Sequence, residues 1–159
     1  MNQTYLLIGG NLGNREKNLE KARQLIAAEA GQVGKSSSLY ETEAWGIQDQ
    51  PPFLNQVLLV WTKLDPRQLL STILDIEHQM GRERFEKFGP RSIDIDILFF
   101  NEEIIDEPGL TIPHPQLHLR RFTLQPLQEL APSFIHPVLN KSVSDLLAEC
   151  PDPLAVKKL

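Results

Sequence analysis

Asn55-Gln56-Val57-Leu58-Leu59-Val60-Trp61-Thr62-Lys63, followed almost at once by Asp65-Pro66, is the stretch on which the fold turns. Strand pleating sends Val57, Leu59 and Trp61 to one face and Leu58, Val60 and Thr62 to the other, so neither face is polar. Such a strand is buried largely on both sides. Asp65-Pro66 then opens a helix, with the acid as N-cap and proline at the first helical position, where its missing N–H costs nothing. Leu69, Leu70, Ile73, Ile76, Glu77 and Met80 continue it at helical period until Gly81.

Toward the N-terminus, Thr4–Ile8 reads as a strand and Gly9-Gly10-Asn11-Leu12-Gly13-Asn14 as a tight strand-to-helix turn. Leu19, Ala22, Ile26 and Ala30 define a helix over Arg15–Ala30, and Lys35–Tyr40 reads as a second strand. Glu41–Leu54 is a loop too long to be a mere connection. Toward the C-terminus, Arg82–Pro90 forms a second polar loop before a strand at Asp94. The order β, α, β, β, α, β predicts an α+β fold, a ferredoxin-like sandwich of an antiparallel sheet with helices on one face. C-terminal additions follow: a short strand at Ile104-Ile105, a helical piece over Leu124–Leu130 and an amphipathic helix over Val143–Ala148. No linker or repeat divides residues 1–159, which read as a single domain.

The chain of 159 residues can bury one core unaided, and its 41% hydrophobic and 23% charged content is that of a globular protein. Its one cysteine, Cys150, excludes an intramolecular disulfide and a cysteine-rich zinc site, and fits a reducing cytoplasm. The N-terminus lacks the pattern of a signal peptide, and no apolar run approaches a membrane span. A net charge of −5 argues against broad binding to nucleic acid. The protein is expected to be a cytoplasmic monomer that binds no nucleic acid and no membrane.

Chemistry concentrates in Gly89-Pro90-Arg91-Ser92-Ile93-Asp94-Ile95-Asp96-Ile97. Asp94 and Asp96 share one strand face, roughly 6.6 Å apart along the chain. Partial burial of two like charges requires a cation beside them, and hard oxygen ligands point to Mg²⁺, which usually arrives with phosphates. Arg82, Arg84, Lys87 and Arg91 cluster nearby and suit an anionic ligand. The turn at Gly9–Asn14 lacks the ending of a P-loop and the spacing of a dinucleotide fingerprint. His114 stands between two prolines, with Arg120-Arg121 shortly after, and Glu77 alone would be an ordinary acid on a helix surface. Trp45, Phe53, Phe88 and Phe122 fall in or beside loops near Asn55, a grouping that suits a flat heterocycle whose edge an amide can read.

These segments follow one another in a familiar order: Tyr40-Glu41-Thr42, Asp49-Gln50-Pro51 with Phe53-Leu54-Asn55, Gly81-Arg82-x-Arg84, Gly89-Pro90-Arg91-x-Ile93-Asp94-x-Asp96-Ile97, and Pro113-His114-Pro115 through Arg120-x-Phe122 to Ala131-Pro132. Over about residues 4 to 137 the chain closely resembles the 6-hydroxymethyl-7,8-dihydropterin pyrophosphokinases of folate biosynthesis. The resemblance implies transfer of the pyrophosphoryl group of ATP to the hydroxymethyl group of the pterin, with release of AMP. It implies that Asp94 and Asp96 hold two Mg²⁺ ions and that Arg82 and Arg91 compensate charge on the phosphates. Glu77, Arg84, Ile97, Thr111, His114 and Arg120 would line the ATP side. Phe53 and Phe122 would stack on the pterin, Asn55 and the backbone of Thr42, Glu43 and Trp45 would read its edge, and Phe88 would close over it. Loop Arg82–Pro90 is expected to close after ATP binds.

Two other function classes share part of this pattern. A two-metal phosphodiesterase would also use paired acids and arginines, but net acidity and the aromatic loops disfavour it. An RNA-binding module of the same topology would need aromatic-rich strands, which the chain lacks.

Overall fold

The computed structural model describes residues 1–43, 51–81 and 92–159. In chain order the elements are β1 (Asn2–Gly10), α1 (Arg15–Glu29), β2 (Gln32–Ser36), β3 (Tyr40–Thr42), β4 (Phe53–Thr62), α2 (Pro66–Gln79) and β5 (Asp94–Phe100). There follow β6 (Ile105–Glu107), β7 (Leu110–Ile112), a 3₁₀ turn (Leu117–Leu119), α3 (Arg121–Leu130), α4 (Val143–Ala148) and β8 (Val156–Lys158). The main sheet runs β5-β1-β4-β3-β8, with β2 also paired to β4, and every pairing is antiparallel. This is the expected ferredoxin-like core, with β6 and β7 forming a separate hairpin.

β1 pairs with β4 from Asn2↔Thr62 to Gly10↔Leu54, and the alternation of both strands divides the apolar side chains into two cores. Leu6, Ile8, Leu54, Leu58 and Val60 meet Leu19, Ala22 and Ile26 of α1 and Leu69, Ile73 and Ile76 of α2. On the opposite face Tyr5, Leu7, Val57 and Leu59 meet Leu124 and Leu127 of α3 and Val143 and Leu146 of α4. The two helices of the ferredoxin-like core thus lie on one face, as expected, while the C-terminal additions cover the other. That second layer explains why β4 has no polar face.

α2 begins as its sequence dictates: the Asp65 carboxylate accepts the Gln68 N–H at 2.8 Å and the Gln68 side chain accepts the Asp65 N–H at 2.9 Å, a reciprocal cap behind Pro66. The strand expected over Lys35–Tyr40 is two strands, because Ser37 interrupts it. Its hydroxyl accepts the Val57 N–H at 3.0 Å, and its carbonyl accepts the buried Gln56 amide at 2.6 Å. Glycines 9 and 10 belong to β1, so the turn into α1 starts only at Asn11. Among the described residues no helix is long and apolar enough to cross a membrane.

β5 carries an irregularity that the sequence does not announce. Leu6 pairs with Ile97 and Tyr5 with Phe99, which leaves Leu98 as an extra residue in the ladder. Ile95 and Ile97 therefore face the α1/α2 core, Leu98 and Phe99 both face the α3 core, and Phe100 returns to the first. The side chains of Asp94 and Asp96 alternate with Ile95 and Ile97, and so lie on the α3 face.

α3 is fastened to the sheet by a polar knot. Glu129 accepts the Tyr40 hydroxyl at 2.7 Å, the Ser38 N–H at 3.0 Å and the Ser38 hydroxyl at 3.2 Å. Burial, the hydrogen bond to Glu129 and its negative charge push the Tyr40 hydroxyl up to about 12. Burial pushes the Glu129 carboxyl up, but the hydrogen bonds from Tyr40 and Ser38, with Lys158 nearby, more than offset this and hold it below its ordinary value. A depressed carboxylate contributes stability above its unfolded pKa, and that contribution is lost as pH falls through the folded one. Tyr40→Phe is expected to cost about 1–3 kcal/mol at pH 7, the range for a hydrogen bond to a charged group. In urea denaturation the gap to the parent protein should narrow as pH falls below about 4.5, the ordinary carboxyl value; a gap of equal size at pH 3 would show that the carboxylate is not its source.

Candidate active site

The site begins where the apolar rows of the α3 face run out. Leu7 lies between Asp96 and Val57, and in the next row Gly9 lies between Asp94 and Asn55, with Tyr40 beyond Asn55. Phe53 precedes Asn55 by two residues on the same face and pairs with Thr42. The predicted acid pair and Phe53, Asn55 and Thr42 thus sit on one face, at one end of the sheet. Both aspartates are half-buried, and Asn55 is 5% exposed.

Gly9 is a site residue that the sequence reading missed. A Cβ there would stand 2.1 Å from Asn55 Oδ1, so the Asn55 amide lies across β1 over the place a side chain would fill. Glycine is required here by close approach. The signal available was a Gly-Gly pair inside a strand, which marks such an approach as readily as a turn.

Glu77 needs correction: it is 3% exposed, not a helix-surface acid. Its position four residues after Ile73 puts it on the buried stripe of α2. Its carboxylate accepts the Ile95 N–H at 2.8 Å. Because β5 is an edge of the sheet, Glu77 holds the acidic strand from the side where no strand does.

His114 is placed by main chain. Its N–H donates to the carbonyl of Leu98, the extra residue of β5, at 3.0 Å, and its Nδ1 accepts the Gln116 N–H at 3.2 Å. The neutral ring therefore carries its proton on Nε2. Burial and the Arg120 guanidinium lower its pKa to about 4, against a smaller opposing effect of Asp94. At neutral pH His114 offers a phosphate a neutral hydrogen-bond donor. Arg120 donates to the Gln116 side chain, and its guanidinium carbon stands 5.5 Å from the ring centre of Phe122. Phe122, in the first turn of α3, packs on the edge of the second core.

The remaining candidates divide. The Ile97 side chain is buried in the first core, on the face opposite the aspartates, which leaves its main chain to meet a ligand. Thr111 is exposed on β7, which packs beside β5, and Glu43 is exposed just beyond β3. Thr42 is buried and its hydroxyl donates to the Ala155 carbonyl at 3.0 Å. Trp45, Arg82, Arg84, Phe88 and Arg91 lie outside the described residues, as does the loop expected to close.

Residues 5–132 match the family described as 7,8-dihydro-6-hydroxymethylpterin-pyrophosphokinase. The chain belongs to this family. The 2-amino-4-hydroxy-6-hydroxymethyldihydropteridine pyrophosphokinase of Aquifex aeolicus is 40% identical over 149 residues, spanning 94% of this chain and 92% of the relative. That of Bacillus subtilis is 42% identical over 130 residues, 81% of this chain and 78% of the relative. A crystal structure of Plasmodium falciparum HPPK-DHPS superposes with a TM-score of 0.75 at 21% identity, over 94% of this chain and 43% of that one, a likeness of fold. As a member of the pyrophosphokinase family the protein is an enzyme of folate biosynthesis that transfers a pyrophosphoryl group from ATP to hydroxymethyldihydropterin.

Two outcomes follow from this geometry for the pyrophosphokinase. In the ligand-free enzyme, ¹⁵N NMR should show His114 as the Nε2–H tautomer, titrating well below the ordinary value of 6.5; a midpoint at or above 6.5 would contradict the burial described here. Gly9→Ala should displace the Asn55 amide and raise the dihydropterin Kd by about tenfold, or ~1.4 kcal/mol. Unchanged calorimetric affinity would show that the amide can move aside freely.

Proposed function

We propose that the transfer takes place on the α3 face of the sheet, with the ATP phosphates over Asp94 and Asp96 and the pterin over Gly9, Asn55 and Phe53. One observation carries this: the acid pair and the amide are brought into adjacent positions across the glycine of β1, in a chain whose family needs a phosphate site beside a pterin site.

The donor set fits Mg²⁺. Two carboxylates share one face, and among the described residues no group of three or more His, Cys, Asp or Glu could form a complete cage. Mg²⁺ in phosphate-handling sites is commonly bound through one or two carboxylates together with substrate phosphates and water. Asp94 and Asp96 would hold two such ions, which neutralise charge on the triphosphate and favour ionisation of the hydroxymethyl group.

The chain's own residues orient the reactants. The Nε2–H of His114 and the Arg120 guanidinium donate to phosphate oxygens, and Arg82 and Arg91 add the bidentate contacts that their guanidinium groups allow. Glu77 keeps β5 in register, Arg84, Thr111 and the main chain at Ile97 complete the ATP side, and Phe88 closes over the ligands. Phe53 and Phe122 enclose the pterin ring, while the Asn55 amide and the backbone of Thr42, Glu43 and Trp45 read its edge. With the reactants aligned, the hydroxymethyl oxygen bonds to the β-phosphorus as the bond from that phosphorus to the bridging α–β oxygen breaks. AMP leaves, and catalysis is largely positioning and charge compensation. Residues 1–159 act as one domain and as a monomer, and the buried free thiol of Cys150 suits a reducing cytoplasm.

Incubation with ATP, Mg²⁺ and the dihydropterin should yield AMP and the pterin diphosphate; formation of ADP instead would refute the two-phosphate transfer. Asp96→Ala should lower kcat by about a thousandfold or more, a loss of several kcal/mol of metal-ion stabilisation, while preserving cooperative unfolding. Retained turnover would remove Asp96 from the metal site.

A further inference from the structure

Residues 150–158 lie beyond the segment matched to the family and touch both sides of the proposed pterin pocket. On one side they hold the start of α3. Asp152, 3% exposed, stands between Pro151 and Pro153, which restrict its backbone. Its Oδ2 accepts the N–H of Arg121, the first residue of α3, at 3.1 Å, and its Oδ1 accepts the Leu154 N–H at 2.9 Å. Arg120, the residue flanking the helix, makes no side-chain cap, so the carboxylate at the helix N-terminus comes from Asp152. The Arg121 guanidinium returns the grip, donating to the main-chain carbonyls of Asp152 at 3.3 Å and Cys150 at 3.2 Å.

On the other side the same segment holds β3. The Thr42 hydroxyl donates to the Ala155 carbonyl at 3.0 Å, and β8 pairs with β3 through Thr42↔Val156, Glu41↔Lys157 and Tyr40↔Lys158. Thr42 pairs in turn with Phe53. Three residues separate the anchor at Asp152 from the one at Val156. Phe122, next to Arg121, and Phe53, across from Thr42, are therefore tied together by one short segment.

We propose that residues 150–158 form a strap that sets the separation of the two aromatic walls, with Asp152 as its positioning residue for pterin binding. The proposal rests on the reading of Phe53, Asn55 and Phe122 as the pterin pocket. The Arg120 guanidinium stands over Phe122 but is also held by Gln116, so the strap acts first on the pterin side and less on the phosphate side.

The test uses the full-length enzyme with Mg²⁺, calorimetry with dihydropterin and with a non-hydrolysable ATP analogue, and circular dichroism to confirm folding. Asp152→Ala should raise the dihydropterin Kd about tenfold and leave that of the nucleotide within about twofold, since a displacement of an ångström at a binding group is felt on this scale. Asp152→Asn, which keeps one strong acceptor, should recover part of the loss. Arg121→Gln, which removes the guanidinium grip but not the backbone bond, should weaken pterin binding in the same selective way. If Asp152→Ala does not fold, the other two variants decide. Unchanged pterin affinity in the folded variants, or equal loss for both ligands, would overturn the strap. Phe122→Ala separates the two readings: if it does not weaken pterin binding, the pocket itself is misplaced and the strap falls with it. If it does while Asp152→Asn and Arg121→Gln bind normally, the strap alone is wrong.

Discussion

The pairing of β4 with the whole length of β1 is the constraint from which the rest of the molecule follows. Both strands carry apolar side chains on both faces, each worth about 1.5–3 kcal/mol when fully buried. Neither face can be left to water. α1 and α2 cover one, and the chain must continue past β5 to supply α3 and α4 for the other. That second layer brings His114, Arg120 and Phe122 to the face on which the aspartates stand. The proposed active site is the part of this face where the apolar rows give way to Gly9, Asn55 and Asp94.

The electrostatics of that region separate charge from neutrality. His114 feels both the Arg120 guanidinium and, more weakly, the Asp94 carboxylate, and its burial and the cation keep it uncharged. In the proposed site a neutral donor would add direction to a phosphate contact, while the arginines would add charge. Glu77 works from behind: buried under β5, it accepts a main-chain N–H and fixes the strand that presents the aspartates.

Much of this was legible in the chain because the signals were local. Asp65-Pro66 and Gly81 bracket α2, and the period of Val143 and Leu146 places α4 at Val143–Ala148. The acid pair was visible as polar residues breaking a β-branched run. Other features depend on partners distant in sequence. Ser37 splits one expected strand into two by bonding to β4, and β8, three residues long, exists only because β3 offers an edge. The close approach of Asn55 to Gly9 likewise appears only once the sheet is assembled. Glu77 was different: its place on the stripe of Ile73 was there to be read, and its charge argued misleadingly for the surface.

The extra residue at Leu98 changes how β5 tolerates change. Between Asp94 and Phe100 the strand behaves as a counter of odd and even, and Leu98 is the single step at which the count is reset. The carboxylates need one parity to stand on the α3 face, and Phe100 needs the other to enter the first core. Insertion or deletion of one residue between Asp94 and Ile97 would satisfy one end at the expense of the other, whereas loss of Leu98 itself would leave both parities intact. The face on which the acidic end stands is thus indexed to the packing of the aromatic end.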